Sequence, residues 1–390
     1  MKLRLMALMV LVLGSVLGAT TWRWLSAAPT APRAEASQQE SSSGGASPTP
    51  PPEETSIPAG PPTTGATAPE RIAYVTSRDG TPLTGRGEQT ALPIAGGILL
   101  PVLGEVAGSY RVFDTCNREG TVPSGEVQPG PVPDGSREGF DRSVFVIDPG
   151  HGIPDHGATG PTGLYESEVN LDVSARIVDL LGSPRSVDWE TGTVTAGDEI
   201  PPAAVAVATR SPHGPNSGDY ELGLEYRTTV ANALEATALV SIHHNAGPEA
   251  ALDHPGSEAY VSATDPESPR LGGLMVEELR RSLGRFQADW MGSEGTGLFS
   301  RVNAEGEDYY SILARSEVPA VIVEGAYISN PSEEALARTD EFRQAYAEAV
   351  YRALVRFVIT DDDPIPPPEP ELWQPGRPGP SVHDCQVPPP

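Results

Sequence analysis

Three side chains capable of metal or acid–base chemistry come at the ends of apolar runs that predict buried strands. His151 follows such a run through a Pro-Gly turn, His243 ends a second run, and Glu324 ends a third. In open α/β sheets the reactive crevice lies beyond the carboxyl ends of the strands. We therefore expect these groups to meet at one edge of a sheet. Two imidazoles and a carboxylate in that position indicate a metal-dependent hydrolase.

A second carboxylate completes a recognisable ligand set. Glu166 lies where the glycine-containing loop 160–165 runs into a predicted helix. Two histidines and one carboxylate form a known catalytic zinc set, with the fourth position left for water. Zinc lowers the pKa of such a water and polarises a carbonyl, so an amide can be attacked near neutral pH. This predicts His151, Glu166 and His243 as ligands, while Glu324 is placed to carry a proton from the water to the leaving amine.

Each of these residues also has an ordinary structural explanation. A histidine beside glycine, or at the end of a strand, is weak evidence of a ligand by itself. Glu166 alone fits an acidic residue at a helix N-terminus, where the helix dipole favours it. Glu324 alone could pair with an arginine. The prediction of a metal site depends on all four occurring at the ends of elements of the same fold.

The pattern of elements predicts an α/β domain over residues 142–360. Strands alternate with helical stretches, which is typical of a mostly parallel open sheet with helices on both faces. Apolar spacing predicts helices that begin near Glu166 and that cover residues 224–234, 268–283 and 341–359. A fourth predicted strand, 204–209, leads to Arg210.

A small β-module is predicted upstream, over residues 69–126. Short alternating strands at 71–75, 97–103 and 108–113 are separated by the turn signals Asp79–Gly80, Arg86–Gly87 and Glu119–Gly120. The spacing is similar to bacterial SH3-like modules. Both a wall- or partner-binding module and a stabilising cap fit this pattern.

The remaining segments are predicted as signal, linkers and tail. Lys2 and Arg4 precede an uncharged apolar run at 5–22, so residues 1–27 fit a signal peptide or a membrane anchor. Residues 28–68 and 127–141 are rich in Pro, Gly, Ser or Thr and predict linkers, the first of them disordered. The proline-rich stretch 361–390 predicts a disordered tail. We expect an exported, monomeric protein of the cell envelope or extracellular space, held at the membrane by residues 5–22 if that segment is retained.

The net charge and the cysteine content exclude several classes of partner and scaffold. The formal net charge of −27 over 390 residues argues against a nucleic-acid partner, because phosphate backbones select basic surfaces. Only two cysteines occur, which excludes a disulfide-dense scaffold and a cysteine-rich zinc site. In an oxidising compartment Cys116 and Cys385 could pair and hold the tail against the β-module.

The chain resembles zinc-dependent N-acetylmuramoyl-L-alanine amidases of bacterial cell walls. The resemblance begins at Asp148–Gly152 and continues in order to Pro331, covering most of residues 144–357. It is carried by these segments: 163–171, 209–210, 224–227, 231–232, 241–246, 256–260 and 319–331. Residues before 142 have no part in it.

The resemblance implies specific roles. His151, Glu166 and His243 would hold one Zn²⁺, and Glu324 would be the catalytic acid and base. The implied reaction is hydrolysis of the peptidoglycan amide between N-acetylmuramic acid and L-alanine. The motif selects His243 over His244 as the ligand.

For several neighbouring residues the sequence allows more than one role. His244 would be a rim residue or a substrate contact, and His156 a surface histidine. Asn245 and Asp155 could orient ligands through hydrogen bonds. Arg210, Arg227 and Arg315 could hold acidic groups of the stem peptide, although ion pairs fit the first two better.

Two segments bear on access to the site. Residues 247–255 are too few for the inhibitory helix that some family members carry there. Residues 187–202 contain Thr191–Gly192–Thr193 and predict a hairpin, which either gates the cleft or is a plain surface excursion. A zinc carboxypeptidase acting on stem peptides and a wall-binding protein without catalysis remain as alternative functions. The first would need a group that grips a terminal carboxylate, and the second is disfavoured by the complete ligand set.

Overall fold

The computed structural model describes residues 72–131, 139–210, 222–247, 256–286, 296–367, 369–373, 385 and 387–390. The predicted signal or anchor at 1–27 and the linker at 28–68 lie outside these ranges. Within them, none of the helices has the length and apolar character needed to cross a membrane.

The N-terminal part of the described chain is a seven-stranded sheet in which every neighbouring pair is antiparallel. Its strands, in the spatial order β3-β2-β6-β5-β4-β1-β7, are β1 (Ile72–Ser77), β2 (Thr81–Gly85), β3 (Leu92–Ile94), β4 (Leu99–Val106), β5 (Ser109–Phe113), β6 (Glu119–Pro123) and β7 (Val127–Pro131). Alternate residues of β1 are buried, as the alternating sequence predicts. The likeness to SH3-like modules stays a prediction.

Two predictions for this region are wrong. Glu119–Gly120 is not a turn but the start of β6, and a Cβ on Gly120 would crowd Leu83 and the Thr84 carbonyl. This glycine therefore allows close approach of two strands. Residues 127–131 do not begin a linker, because they form the edge strand β7 beside β1. A 3-10 turn at Phe140–Arg142 then leads into the second sheet.

The second sheet also has seven strands, and it is mixed. All neighbouring pairs are parallel except β13–β15, which is antiparallel. Its strands, in the order β11-β8-β12-β15-β13-β14-β16, are β8 (Val144–Pro149), β11 (Val205–Ala208), β12 (Ala238–Asn245), β13 (Glu258–Val261), β14 (Leu298–Val302), β15 (Ala320–Tyr327) and β16 (Glu371–Leu372). The α/β class is confirmed.

Helices cover this sheet on both sides. They are α1 (Glu166–Leu181), α2 (Leu224–Ala233), α3 (Ser268–Leu283), α4 (Ser311–Ala314), α5 (Pro331–Ala337) and α6 (Asp340–Ile359). Phe145 and Ile147 of β8 face the core formed by α1, α3 and α6, while Val144 and Val146 face α2, α4 and Ala73 of β1. The alternation along β8 thus buries both faces of the strand. The β-module is part of the covering on the α2 side.

The predicted hairpin forms after α1. Strands β9 (Arg185–Asp188) and β10 (Thr193–Ala196) pair antiparallel. The tip packs on two helices, since Arg352 of α6 donates to the Gly192 carbonyl and Arg281 of α3 donates to the Trp189 carbonyl. These contacts favour a packing role for the hairpin over gating.

The prediction of a disordered tail is wrong for its described residues. Strand β16 adds to the edge of the second sheet, and the ring of Trp373 lies 3.8 Å from the guanidinium carbon of Arg301. Further on, Cys385 forms a disulfide with Cys116, and the Pro388 carbonyl accepts from the Ala95 amide at 3.1 Å. Contacts with residues far away in sequence thus hold these described residues, although their composition alone predicts disorder.

Candidate metal centre

Three predicted ligands meet at the carboxyl ends of the strands. His151 follows β8, His243 lies near the end of β12, and Glu166 begins α1. One ligand atom from each lies within 4.8 Å of the other two. The neighbouring parallel strands β8 and β12 end at the same edge of the sheet, which is why residues far apart in sequence converge.

Glycines make room for this convergence. A Cβ on Gly150 would fall inside van der Waals contact of the His243 ring, and one on Gly157 would collide with Glu166 Oε2 and the His151 ring. Gly157 has a φ of +68°, and His151 itself has a φ of +63°. The left-handed turn costs energy for a histidine. Its effect is to turn the imidazole back toward Glu166.

Glu166 lies between the two imidazoles. Its Oε2 is 3.3 Å from His151 Nε2, and its Oε1 is 3.0 Å from His243 Nδ1. The backbone amides of Ala158 and His244 donate to the same carboxylate at 2.8 and 3.0 Å. Burial would raise the pKa of Glu166, but its hydrogen bonds and charge interactions with the histidines outweigh this, and the pKa falls well below its usual value. The carboxylate is therefore ionised and available as a ligand.

His151 is oriented by a second carboxylate. Its Nδ1 lies 2.9 Å from Asp155 Oδ2, on the side of the ring opposite Glu166. Burial lowers the pKa of His151, yet the hydrogen bonds to Asp155 and Glu166 raise it to about 10. Two carboxylates thus favour positive charge at this ring. A divalent cation satisfies the same preference, and an imidazole backed by a carboxylate is a common arrangement around zinc.

The donor set fits zinc. Two imidazole nitrogens and one carboxylate oxygen are the ligand types of catalytic zinc sites, and such sites keep one position open. Glu166 is only 4% exposed, while both histidines are half-buried. The cluster is therefore buried on its Glu166 side and accessible on the histidine side.

Two buried arginines hold the backbone of the ligand turn. Arg227 of α2 donates to Asp148 at 2.7 Å, to the Pro149 carbonyl at 2.9 Å and to the His151 carbonyl at 3.0 Å. Arg210 donates to the Gly150 carbonyl at 2.9 Å. Both side chains are buried, and they donate to backbone carbonyls at and just after the end of β8. They are ion-pair and backbone contacts, not exposed contacts for a peptide.

Glu324 lies beside the cluster with a free oxygen. Its Cα is paired in register with that of His243 across β15 and β12. Its Oε2 is buried and has no hydrogen-bond partner among the described residues. Burial first, and then the charges of Glu166 and Glu258, raise the pKa of Glu324 well above its usual value. A raised pKa favours the protonated form of a carboxyl group, which suits such a group to general acid–base work.

The interpretation of His244 as a rim residue is wrong. It is 1% exposed, its Nδ1 lies 2.8 Å from Asn170 Oδ1, and its ring packs edge-on against Tyr346. Alternation along β12 does send it away from His243, but toward the α1–α6 side of the sheet and not toward solvent. Burial lowers its pKa to about 3, so the ring is neutral at neutral pH. Its amide nevertheless binds Glu166, so it supports the ligand.

The remaining candidates take different places. Asn245 Nδ2 donates to Glu258 Oε2 at 3.0 Å, so it holds a carboxylate next to Glu324 rather than a ligand. Arg315 pairs with Glu225 of α2 on the surface. His156 is half-buried and stacks on Tyr165, with ring centroids 4.0 Å apart. None of these contacts joins the three ligands directly.

A family profile described as N-acetylmuramoyl-L-alanine amidase matches residues 145–198 and 205–356 of this chain. These residues make up more than half of the sequence and include His151, Glu166, His243 and Glu324. The chain belongs to this amidase family. The resemblance seen in the sequence motifs is thereby confirmed.

Named relatives agree with the family. The chain is 28% identical over 255 residues to the N-acetylmuramoyl-L-alanine amidase AmiC of Neisseria meningitidis, covering 59% of this chain and 56% of that protein. It is 26% identical over 224 residues to the germination-specific N-acetylmuramoyl-L-alanine amidase of Bacillus subtilis, covering 57% of this chain and 82% of that protein. The match thus spans only about half the length of the Neisseria relative. A crystal structure of an N-acetylmuramoyl-L-alanine amidase from Clostridium difficile 630 aligns with a TM-score of 0.43 at 21% identity, covering 57% of this chain and 100% of that one.

Sequence reasoning missed one residue that shapes this amidase-family site. Glu334 of α5 is 1% exposed and accepts from the Thr162 amide at 2.8 Å and the Leu164 amide at 3.0 Å. It fixes the loop that delivers Glu166. The two glutamates are far apart in sequence, and Glu334 stands in an ordinary helix-start context after Asn330, so no local signal distinguishes it.

Proposed function

We propose that this protein is a zinc-dependent N-acetylmuramoyl-L-alanine amidase that cleaves peptidoglycan. The observation that carries the proposal is the meeting of His151, Glu166 and His243 at the strand ends, with the unpartnered Glu324 oxygen beside them. A bound zinc ion would be held by those three residues, where it supplies Lewis-acid stabilisation of a carbonyl and a more acidic water.

The protein's own residues have separate tasks in this reaction. Asp155 fixes the orientation of the His151 ring, while the Ala158 and His244 amides fix the Glu166 carboxylate. Glu324 accepts a proton from the attacking water and passes it to the nitrogen of L-alanine as the carbon–nitrogen bond breaks. The products are the lactyl carboxylate of N-acetylmuramic acid and a stem peptide with a free amino terminus.

Export to the cell envelope or the extracellular space follows from this substrate, because peptidoglycan lies outside the cytoplasmic membrane. The apolar segment 5–22 is proposed as the export signal, or as an anchor if it is retained. We also propose that the β-module is similar to SH3-like modules and that the protein is a monomer.

Mass spectrometry of digested peptidoglycan tests the proposal. Purified sacculi are incubated with the wild-type protein, with Glu324→Ala, and with wild-type protein treated with a chelator. Free stem peptides that begin with L-alanine, produced by the untreated wild type alone, are the expected result. Shortened stems would instead indicate a carboxypeptidase. No product from the zinc-loaded wild type would indicate a protein without catalysis, and either of these results would refute the proposal.

A further inference from the structure

Helix α2 connects the β-module to the turn that carries His151. We infer that Asn117, in the β-module, is a positioning residue for the metal site, because it caps α2 and so holds Arg227 against the His151 carbonyl. The part of this inference that concerns zinc rests on the proposed function. The part that concerns the position of the turn does not.

The first amides of α2 find their acceptors in the β-module. The N-cap residue is Gly223, which has no side chain with which to cap the helix. Asn117 Oδ1 accepts from the Tyr226 amide at 2.8 Å, and the Thr115 carbonyl accepts from the Gly223 amide at 2.8 Å. An N-cap side chain normally accepts from an amide two or three positions into the helix. Asn117 takes over this role from a distant part of the sequence.

Gly223 leaves the space that the capping side chain of Asn117 requires. Its φ of −60° and ψ of 139° suit any ordinary N-cap residue, so backbone conformation does not demand glycine. A Cβ there would instead fall inside van der Waals contact of the Asn117 side-chain amide. The space that a serine or aspartate N-cap side chain would fill is therefore occupied by Asn117. An N-cap side chain at position 223 and the side chain of Asn117 therefore cannot occupy this space together.

The loop that presents Asn117 is itself fixed. Asp114 Oδ1 accepts from the amides of Cys116 and Arg118 at 2.8 and 3.0 Å, on either side of Asn117. Asn117 has a left-handed φ of +62°, a conformation that asparagine tolerates better than most residues. The disulfide from Cys116 to Cys385 ties the same loop to the tail. A fixed loop is what a cap acting between two sheets requires.

The path from the cap to the ligand is short. Tyr226, whose amide Asn117 accepts, also donates its hydroxyl to the Leu99 carbonyl of β4 at 2.5 Å. The next residue is Arg227, which binds Asp148 and the carbonyls of Pro149 and His151. His151 is held in a left-handed conformation, which an unsupported chain would leave. Loosening the first turn of α2 therefore loosens the ligand turn.

The inference assigns the β-module a role inside the catalytic unit. Of the two roles that its sequence leaves open, a stabilising cap and a wall- or partner-binding module, these contacts support the first. The module does more than cover an apolar face. It supplies the acceptors for the first amides of α2, and α2 carries Arg227, which binds the His151 carbonyl.

Four variants of the full chain test this. Asn117→Gly removes the cap but keeps the left-handed backbone free of strain, and Asn117→Asp keeps an acceptor. The double variant Asn117→Gly with Gly223→Ser moves the cap onto α2 itself. Thr339→Ala is the matched control, because it removes the N-cap of α6, where Thr339 Oγ1 accepts from the Phe342 amide at 3.2 Å.

Two quantities are measured for each variant. Zinc affinity is measured by competition with a chromophoric chelator, and amide hydrogen exchange is measured in the metal-free protein over residues 150–152 and 224–228. We expect Asn117→Gly to weaken zinc binding roughly three- to tenfold and to speed exchange in both segments. Asn117→Asp and the double variant should match the wild type. Thr339→Ala should lower the melting temperature while leaving zinc affinity and both segments unchanged.

The inference is overturned if Asn117→Gly leaves zinc affinity and exchange at wild-type values, if the double variant is no better than the single one, or if Thr339→Ala shifts both readouts equally. If Asn117→Gly does not fold alone, recovery of folded protein in the double variant supports the inference and continued unfolding contradicts it. Failure of the wild type to bind zinc would refute the proposed function, while exchange in the metal-free protein would still decide the role of Asn117.

Discussion

Glu258 and Glu324 are direct partners across the antiparallel pair β13–β15, yet their carboxylates have opposite surroundings. Glu258 accepts from the hydroxyls of Tyr260 and Tyr327, both at 2.6 Å, and from Asn245 Nδ2 at 3.0 Å. Glu324 Oε2 has no partner among the described residues. Three donors thus hold the Glu258 carboxylate in place, whereas burial and then the charges of Glu166 and Glu258 raise the pKa of Glu324 well above its usual value. One glutamate is held in place, and the other is left free to exchange a proton.

Replacing Glu324 should separate metal binding from turnover. Glu324→Gln keeps the shape of the side chain but cannot carry a proton, so we expect full zinc occupancy with kcat lower by roughly 10²- to 10⁴-fold. Zinc is measured by atomic emission after dialysis, and kcat is measured on a soluble muropeptide. His243→Ala is the comparison variant and should lose the metal as well. Wild-type turnover in Glu324→Gln would show that another group moves the proton.

Substituting Gly157 should impair the site without removing a ligand. Gly157→Ala places a methyl group against Glu166 and the His151 ring, so zinc affinity should fall by about tenfold or more. Gly163→Ala is the matched control, because Gly163 also has a left-handed φ, +87°, but has open space around its Cβ position. It should cost about 1 kcal/mol of stability and leave zinc affinity unchanged. Equal losses of zinc affinity in both variants would show that backbone strain, and not contact with Glu166 and His151, causes the loss.

Asp148 should stabilise the fold in a pH-dependent way. Burial would raise its pKa, but the charge of Arg227 and hydrogen bonds from Thr209 and Ser241 outweigh this and lower it. A carboxyl group with a lowered folded-state pKa stabilises the protein above its unfolded pKa of about 3.9, and the stabilisation is lost as pH falls through the folded pKa. Asp148→Asn should therefore lower the free energy of unfolding by about 3–5 kcal/mol at neutral pH, with the difference from the wild type narrowing below about pH 4.

Urea unfolding at a series of pH values measures this difference. Asp179→Asn is the control, since Asp179 forms an exposed ion pair with Arg185 and should cost less than about 1 kcal/mol. A difference for Asp148→Asn that stayed constant into strong acid, or that widened there, would contradict the assignment of a stabilising buried charge.

The main elements, and the sheet edge at which the candidate ligands lie, could be predicted because their signals are local. His151, His243 and Glu324 all come at the end of an apolar run, and a run of that kind fixes both the strand and the edge at which it ends. Helix α3 has the predicted bounds, Ser268–Leu283, since its apolar spacing is regular and Gly284 follows it. Such features are set by residues within one or two turns of each other.

The features that could not be predicted depend on distant partners. Strand β7 contains Pro129 and Gly130 and reads as a linker, but an edge strand tolerates proline once β1 is beside it. Trp373 has its partner in Arg301, and Asn117 caps a helix 109 residues away from it, at Tyr226. His244 is a further example. Alternation of side chains along β12 predicts the face of the sheet on which His244 lies, but not that α1 and α6 cover that face.

The disulfide between Cys116 and Cys385 should be measurable directly. We expect no free thiols in the denatured, unreduced protein and two after reduction, since the structure joins the only two cysteines. Cys385→Ser should lower the free energy of unfolding by about 2–4 kcal/mol, because the bond restricts the unfolded chain. Two free thiols in the exported, unreduced protein would contradict the pairing.

Zinc content of the purified protein tests the central assignment most directly. The wild type, His151→Ala, Glu166→Ala, His243→Ala and Glu324→Gln are each loaded with zinc, dialysed and analysed for bound metal. We predict one equivalent in the wild type and in Glu324→Gln, and a large loss in each of the three ligand variants. Retention of full zinc by any ligand variant, or the absence of zinc from the wild type, would contradict the assignment of His151, Glu166 and His243 as the metal site.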